Sequence, residues 1–133
     1  IINYLIILMK EIFGVEQLDE FIVNNINMVV VMYFGASWCK PCKELKKRLE
    51  EKETQKIMPN LAVAYIDIDD KNNEELVNKY SISCFPTQIF IKLKGTKIKV
   101  FSKIKGYDFT KLKLEYDSYL KKIDKKFLFS THN

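Results

Sequence analysis

The chain has 133 residues, of which 47% are hydrophobic and 29% charged, and a formal net charge of +5. These values are typical of a soluble globular protein, and the length suffices for one domain with a packed core. The lysines that cause the net charge are scattered between apolar residues, which indicates a solvated face. Nucleic-acid binding lacks support because no motif of aromatic and basic residues accompanies the charge, so an acidic partner protein is the more reasonable expectation.

The first nine residues, Ile1 to Met9, form the one anomalous apolar segment. A membrane span needs about 20 apolar residues, so we expect no membrane span here or elsewhere. Without an initiating Met, the segment could be the end of a targeting or anchoring sequence, which would indicate an organelle or a secretory compartment. The interpretation we favour is an extended first strand that continues into Lys10 to Phe13, together with a cytoplasmic location.

The first half of the chain reads as helix, strand and helix. After Gly14, an amphipathic helix is predicted by apolar residues at helical spacing, namely Val15, Leu18, Phe21 and Ile22. The run Met28 to Phe34 is β-branched and aromatic without alternation, which predicts a strand covered on both faces. A short turn at Gly35 to Ser37 leads to a second helix over about Cys39 to Thr54, with Cys42, Leu45 and Leu49 as its apolar stripe.

The second half adds three strands and two helices. Leu61 to Ile68 and Thr87 to Leu93 are predicted strands, and the second pairs with Lys97 to Ile104 through a turn at Gly95-Thr96. Glu74 to Tyr80 forms a short helix. A last helix places five apolar residues on one face: Phe109, Leu112, Tyr116, Leu120 and Ile123.

Cys39 and Cys42 stand where the buried strand passes into a helix. A helix N-terminus favours an anion, so a thiol there loses its proton more easily. Cys39 should be the exposed thiolate, and Cys42 should be shielded and close enough for a disulfide. Two alternatives are an inert pair of core cysteines and a zinc site, although zinc needs about four ligands and only Cys84 and His132 could complete it.

The segment Trp38-Cys39-Lys40-Pro41-Cys42, together with the later Phe85-Pro86-Thr87, resembles the thioredoxin family. The similarity continues through Tyr65 to Asp70 and the hairpin turn, and covers roughly residues 9 to 122. It implies an α/β thioredoxin fold, a central mixed sheet of about five strands flanked by four helices. Residues 1–8 would then be an apolar extension and 123–133 a C-terminal tail. Lys47 replaces the proline that kinks the second helix in most thioredoxins, so we expect a straighter helix.

The resemblance implies a protein thiol–disulfide oxidoreductase, in which Cys39 attacks a substrate disulfide and Cys42 resolves the mixed disulfide. The residues expected to contact the substrate protein are Trp38, Lys40, Pro41, Phe85 and Pro86, with a cis Phe85–Pro86 bond. No cofactor or metal is required, a thioredoxin reductase or an equivalent donor would return the electrons, and the protein would be a monomer. The alternatives are an oxidase or isomerase of a secretory compartment and a non-catalytic docking module.

Besides Lys47, four positions depart from the usual family pattern or add to it. Lys40 replaces a Gly and should lower the Cys39 pKa modestly. Tyr33 occupies the place of a buried Asp that takes the proton of the second cysteine, and Tyr65 that of its Lys partner. Since a tyrosine is a poor base at neutral pH, we expect Cys42 to lose its proton to water or backbone. Cys84 is a candidate regulatory thiol, although it could equally be a small buried hydrophobe.

Overall fold

A computed structural model describes residues 8–131 of the chain. Its single sheet has five strands: β1 Leu8–Glu11, β2 Val29–Gly35, β3 Leu61–Asp67, β4 Thr87–Lys94 and β5 Lys97–Lys105. Their order across the sheet is β1-β3-β2-β4-β5. The first three are mutually parallel, whereas β4 runs antiparallel to β2 and β5 antiparallel to β4. The predicted mixed sheet of five strands is confirmed.

The central strand β2 separates two layers of core. All seven of its residues are buried, as its unbroken apolar run predicts. Val29, Val31 and Tyr33 face one cluster, whereas Val30 and Met32 face the other. The strand therefore runs through the core of the molecule. Its C-terminal end leads directly into the segment that contains the two cysteines.

The helices are α1 Val15–Asn24, α2 Lys40–Glu50, α3 Lys52–Ile57, α4 Glu74–Lys79 and α5 Phe109–Thr131, with a short 3-10 turn at Lys71–Asn73. The buried residues of α2 and α5 pack on one face of the sheet, and those of α1 and α4 pack on the other. The arrangement agrees with the expected fold, except that five α-helices replace the expected four.

The additional helix arises because the predicted helix Cys39 to Thr54 is interrupted at Glu51. This residue has extended backbone angles, φ −70° and ψ 143°, and separates α2 from α3. Buried side chains supply hydrogen bonds at the break: Thr54 Oγ1 donates to the Arg48 carbonyl at 2.6 Å, and Gln55 Nε2 to the Glu50 carbonyl at 3.3 Å. The expectation of one straighter helix is therefore wrong.

The first strand and the last helix differ in length from those predicted. Strand β1 spans Leu8–Glu11 and pairs with β3, which confirms the favoured first strand for these residues, although we expected it to continue to Phe13. Residues 1–7 lie outside the described part. Helix α5 buries Leu112 and Tyr116 on its predicted apolar face and continues to Thr131, beyond the residue at which we expected a tail. Between residues 8 and 131, no helix combines the length and the apolar character that crossing a membrane requires.

Candidate active site

Cys39 and Cys42 form a disulfide at the start of α2. Their Cα atoms lie 5.2 Å apart. Cys39 caps the helix, Pro41 is its second residue, and the Cys42 backbone N–H donates to Cys39 Sγ at 3.2 Å. In the reduced protein a thiolate at Cys39 would receive this hydrogen bond and the positive end of the helix dipole.

Both cysteines are buried in the disulfide form. The exposed fraction is 6% for Cys39 and 2% for Cys42. Ala36 completes the small cluster that the two cysteines form, and Ile68 and Phe85 pack against it. The prediction that Cys39 is exposed is therefore wrong for this disulfide state. Lys40 and Pro41, by contrast, are exposed.

The exposed Trp38 and the half-buried Phe85 form an aromatic pair beside the disulfide. Trp38 is 63% exposed, and its ring meets that of Phe85 edge to face at a centroid distance of 5.9 Å. The Phe85–Pro86 peptide bond is cis, as predicted. Trp38 Nε1 donates to Asp69 Oδ2 at 2.7 Å, which fixes the indole over the site. We did not predict this role of Asp69, although its position just after a strand parallel to β2 could have indicated it.

Tyr33 lies beneath α2 and is fully buried. Its hydroxyl donates to the backbone carbonyl of Cys42, not to the sulfur. Burial raises the pKa of Tyr33 far above its ordinary value, and the neighbouring Tyr65 adds to the shift. The phenol is therefore neutral, and its proton is engaged by a carbonyl oxygen, so it cannot serve as a base for Cys42.

Tyr33 and Tyr65 are direct neighbours, as the resemblance to the thioredoxin family implied. They pair in register between β2 and β3, and their rings meet edge to face at 5.2 Å. The pKa of Tyr65 is also raised, mainly by burial and further by the carboxylates of Asp67 and Glu11. Two tyrosine hydroxyls thus occupy the positions at which the family commonly has a buried Asp and its Lys partner.

Gly35 is the last residue of β2, although we expected it to belong to the following turn. A Cβ at this position would lie 2.8 Å from Tyr33 Cε1 and 3.2 Å from Tyr65 Cε2. Real side chains avoid such distances, so the two tyrosine rings require a glycine here. No sequence pattern indicates this requirement, since it depends on the positions of both rings.

Cys84 is half-buried and precedes the cis peptide bond. Its Sγ lies 3.6 Å from Thr87 Oγ1, and the same hydroxyl donates to the Cys84 carbonyl at 2.7 Å. The thiol is thus neither fully exposed nor a core residue, and its modification by glutathione stays a prediction. His132, the other candidate zinc ligand, lies outside the described residues.

The family model for Thioredoxin matches residues 11–115. The chain is 40% identical to Thioredoxin 2 of Plasmodium berghei (strain Anka) over 84 residues, which cover 59% of this chain and 50% of that protein. It is 37% identical to mitochondrial thioredoxin of Mus musculus over 101 residues, or 76% of this chain and 55% of that one. The chain thus spans about half the length of these curated relatives.

A similar solved structure is that of Fasciola hepatica thioredoxin. It superposes with a TM-score of 0.69 at 30% identity, covering 83% of this chain and 98% of that chain. The family match includes both cysteines, the cis-proline and all five strands except the first residues of β1. With this sequence match and this fold, the chain belongs to the thioredoxin family.

Proposed function

We propose that this protein reduces disulfide bonds of other proteins through the Cys39–Cys42 pair. The observation that carries the proposal is the disulfide itself, which sits at a helix N-terminus beside the Trp38–Phe85 pair. In the reduced state, the Cys39 thiolate attacks a substrate disulfide and forms a mixed disulfide. Cys42 then attacks Cys39, and the substrate leaves as a dithiol while Cys39–Cys42 is re-formed.

The substrate would lie across the surface formed by the exposed Trp38, Lys40 and Pro41 and the half-buried Phe85, whereas Pro86 is buried beneath this surface. Trp38 is largely exposed, and its edge-to-face contact with Phe85 gives this surface an apolar centre. The backbone of Phe85 would pair with an extended substrate segment. A protein disulfide therefore suits the site better than a small molecule, which usually requires a concave pocket.

The remaining parts of the proposal concern the context of the reaction. The Cys39–Cys42 pair carries both electrons, so no further cofactor or metal takes part, and a thioredoxin reductase or an equivalent donor restores the dithiol. We propose a monomer with a redox domain over residues 9–122. A cytoplasmic location is favoured, although relatives such as the Mus musculus protein are named mitochondrial.

A disulfide reductase assay with insulin as substrate tests the activity. The wild type should reduce insulin with catalytic turnover when a dithiol reductant is supplied, whereas Cys39→Ser should be inactive. Cys42→Ser should accumulate a mixed disulfide with insulin, since the resolving thiol is missing. Cys84→Ser is the matched control and should retain turnover. Wild-type protein that binds insulin without reducing it would instead indicate a docking module.

A second measurement separates a reductase from an oxidase or isomerase. The alternative has one supporting observation, a 33% identity over 89 residues to the protein disulfide-isomerase of Zea mays, which covers 65% of this chain and 17% of that protein. Equilibration of the Cys39–Cys42 pair with glutathione gives the reduction potential. A value near about −270 mV would identify a reductant, and one near about −180 mV an isomerase.

A further inference from the structure

A cleft of about 340 Å³ opens beside Cys42, on the face of the sheet that α2 covers. Cys42 lines it at one point, and the side chains of Asp67 and Glu11 line it at others. A polar cleft of this size has room for several water molecules. The buried resolving cysteine therefore borders a cleft that can hold water.

Asp67 is brought next to Cys42 by the register of the sheet. Gly35 and Asp67 are directly paired between β2 and β3, so both project toward α2. A Cβ on Gly35 would lie 3.4 Å from the Cβ of Cys42. Gly35 therefore lies directly against Cys42, and the rings of Tyr33 and Tyr65 fill the place that a side chain of residue 35 would take.

Hydrogen bonds at the C-terminal end of β3 hold Asp67 in place. Its Oδ1 accepts the backbone N–H of Asp69 at 2.9 Å. Its backbone carbonyl accepts from the buried Asn73 Nδ2 at 3.0 Å. A positioned carboxylate at the cleft wall is the type of group that accepts protons in general base catalysis.

We propose that Asp67 accepts the proton of Cys42 through water in this cleft during the resolving step. The inference rests on the proposed function, and it identifies a proton acceptor where Tyr33 cannot act. The Cys42 S–H bond breaks and its proton passes to the Asp67 carboxylate. The Cys42 thiolate forms a bond to Cys39 Sγ, the bond from Cys39 to the substrate sulfur breaks, and the substrate leaves as a thiolate. That thiolate takes up one proton, so charge and protons balance and two electrons pass to the substrate.

The other charged and titratable groups that line the cleft are Glu11 on β1, Tyr65 on β3, and Lys43 and Lys46 on α2. Tyr33 on β2 does not line the cleft, and its hydroxyl donates to the Cys42 carbonyl. The positive charges of the two lysines favour negative charge in the cleft. Lys46 Nζ lies 5.2 Å from the centroid of the ring of Tyr65, which lines the cleft. Glu11 is exposed, and it pairs with Tyr65 rather than with Gly35. Asp67 is therefore the carboxylate paired with Gly35, the residue that lies directly against Cys42.

The test isolates the resolving step by rapid mixing. Reduced protein reacts with the disulfide of thionitrobenzoate, which releases one coloured thiolate when Cys39 attacks and a second when Cys42 resolves. Asp67→Asn should slow the second release about 10- to 100-fold near neutral pH and leave the first unchanged. The difference should disappear at high pH, where Cys42 ionises without an acceptor. A purely structural role of Asp67 would not produce this convergence.

Two further variants make the result decisive. Glu11→Gln removes the same charge from the same cleft and should change the second release by less than about twofold. Asp67→Glu keeps a carboxylate and should recover part of the rate. The proposal would be overturned if Glu11→Gln slowed the second release as much as Asp67→Asn does. It would also be overturned if the rate of the second release in Asp67→Asn stayed below that of the wild type by the same factor at every pH. Wild-type protein that releases no second thiolate would instead refute the proposed function.

Discussion

At the scale of single residues, Lys40 is the one cation placed between the two cysteines in sequence, and it is exposed. An ammonium near Cys39 favours the thiolate, but solvent limits the effect to at most about 1 kcal/mol. We therefore expect Lys40→Gly to raise the Cys39 pKa modestly and to make the couple slightly more reducing. Thiolate absorbance as a function of pH measures this directly.

Lys40→Gln is the matched control, because it removes the charge without the flexibility of glycine. It should raise the Cys39 pKa by the same amount. A pKa that is unchanged or lower in Lys40→Gly would show that the lysine is only a solvated side chain.

Tyr33 offers a second prediction at this scale. Tyr33→Asp would place a carboxylate beneath α2, so the resolving step should become faster near neutral pH. The same carboxylate would be buried beside Tyr65 rather than paired with a buried Lys, and we expect a loss of about 3 kcal/mol or more in the free energy of unfolding. Thionitrobenzoate release and urea unfolding measure the two effects.

Tyr33→Phe is the comparison variant, since phenylalanine has neither a base nor a donor for the Cys42 carbonyl. It should leave the pH dependence of resolution unchanged. If Tyr33→Asp has the wild-type turnover although resolution limits the rate, Tyr33 serves only in packing.

At the scale of secondary-structure elements, Asn73 connects the 3-10 turn, in which it lies, with α1 and β3. It is completely buried, its Oδ1 accepts the Gly14 N–H before α1 at 2.8 Å, and its Nδ2 donates to the Asp67 carbonyl at the end of β3 at 3.0 Å. Asn73→Ala would leave two backbone groups without these partners. We expect a loss of about 2–4 kcal/mol in the free energy of unfolding, measured with urea.

Asn72→Ala is the control, because Asn72 is exposed and its recorded hydrogen bond uses only its backbone N–H. It should change stability by less than about 0.5 kcal/mol. Similar losses for both variants would mean that the 3-10 turn, rather than the Asn73 side chain, joins these elements.

The same elements show what sequence can predict. Strand β2 and the apolar faces of α1 and α5 follow from periodicity alone, because burial and sequence pattern coincide there. The break at Glu51 does not, because it depends on the Thr54 hydroxyl reaching the Arg48 carbonyl. The Cys39–Cys42 site followed from its motif, whereas the contributions of Gly35, Asp69 and Asn73 depend on strand register and on contacts between distant segments.

At the scale of the whole molecule, tyrosines are distributed through both layers of the core. Burial raises the pKa of five of them in the folded state: Tyr33, Tyr65, Tyr80, Tyr116 and Tyr119. In the unfolded chain a tyrosine ionises near pH 10. Above that pH the unfolded state therefore loses protons that the folded state still holds, and ionisation favours unfolding.

This linkage predicts the pH dependence of stability. The contribution of these tyrosines is fully present below about pH 10 and is lost as the pH rises toward their folded-state values. Urea unfolding of the disulfide form, with the Cys84 thiol blocked, should give a free energy that falls steeply above this pH, together with the appearance of tyrosinate absorbance. Tyr33→Phe should show a shallower fall, since it lacks the most strongly shifted of the five groups. An identical slope in the two proteins would show that lysine deprotonation, and not the buried phenols, causes the alkaline loss of stability.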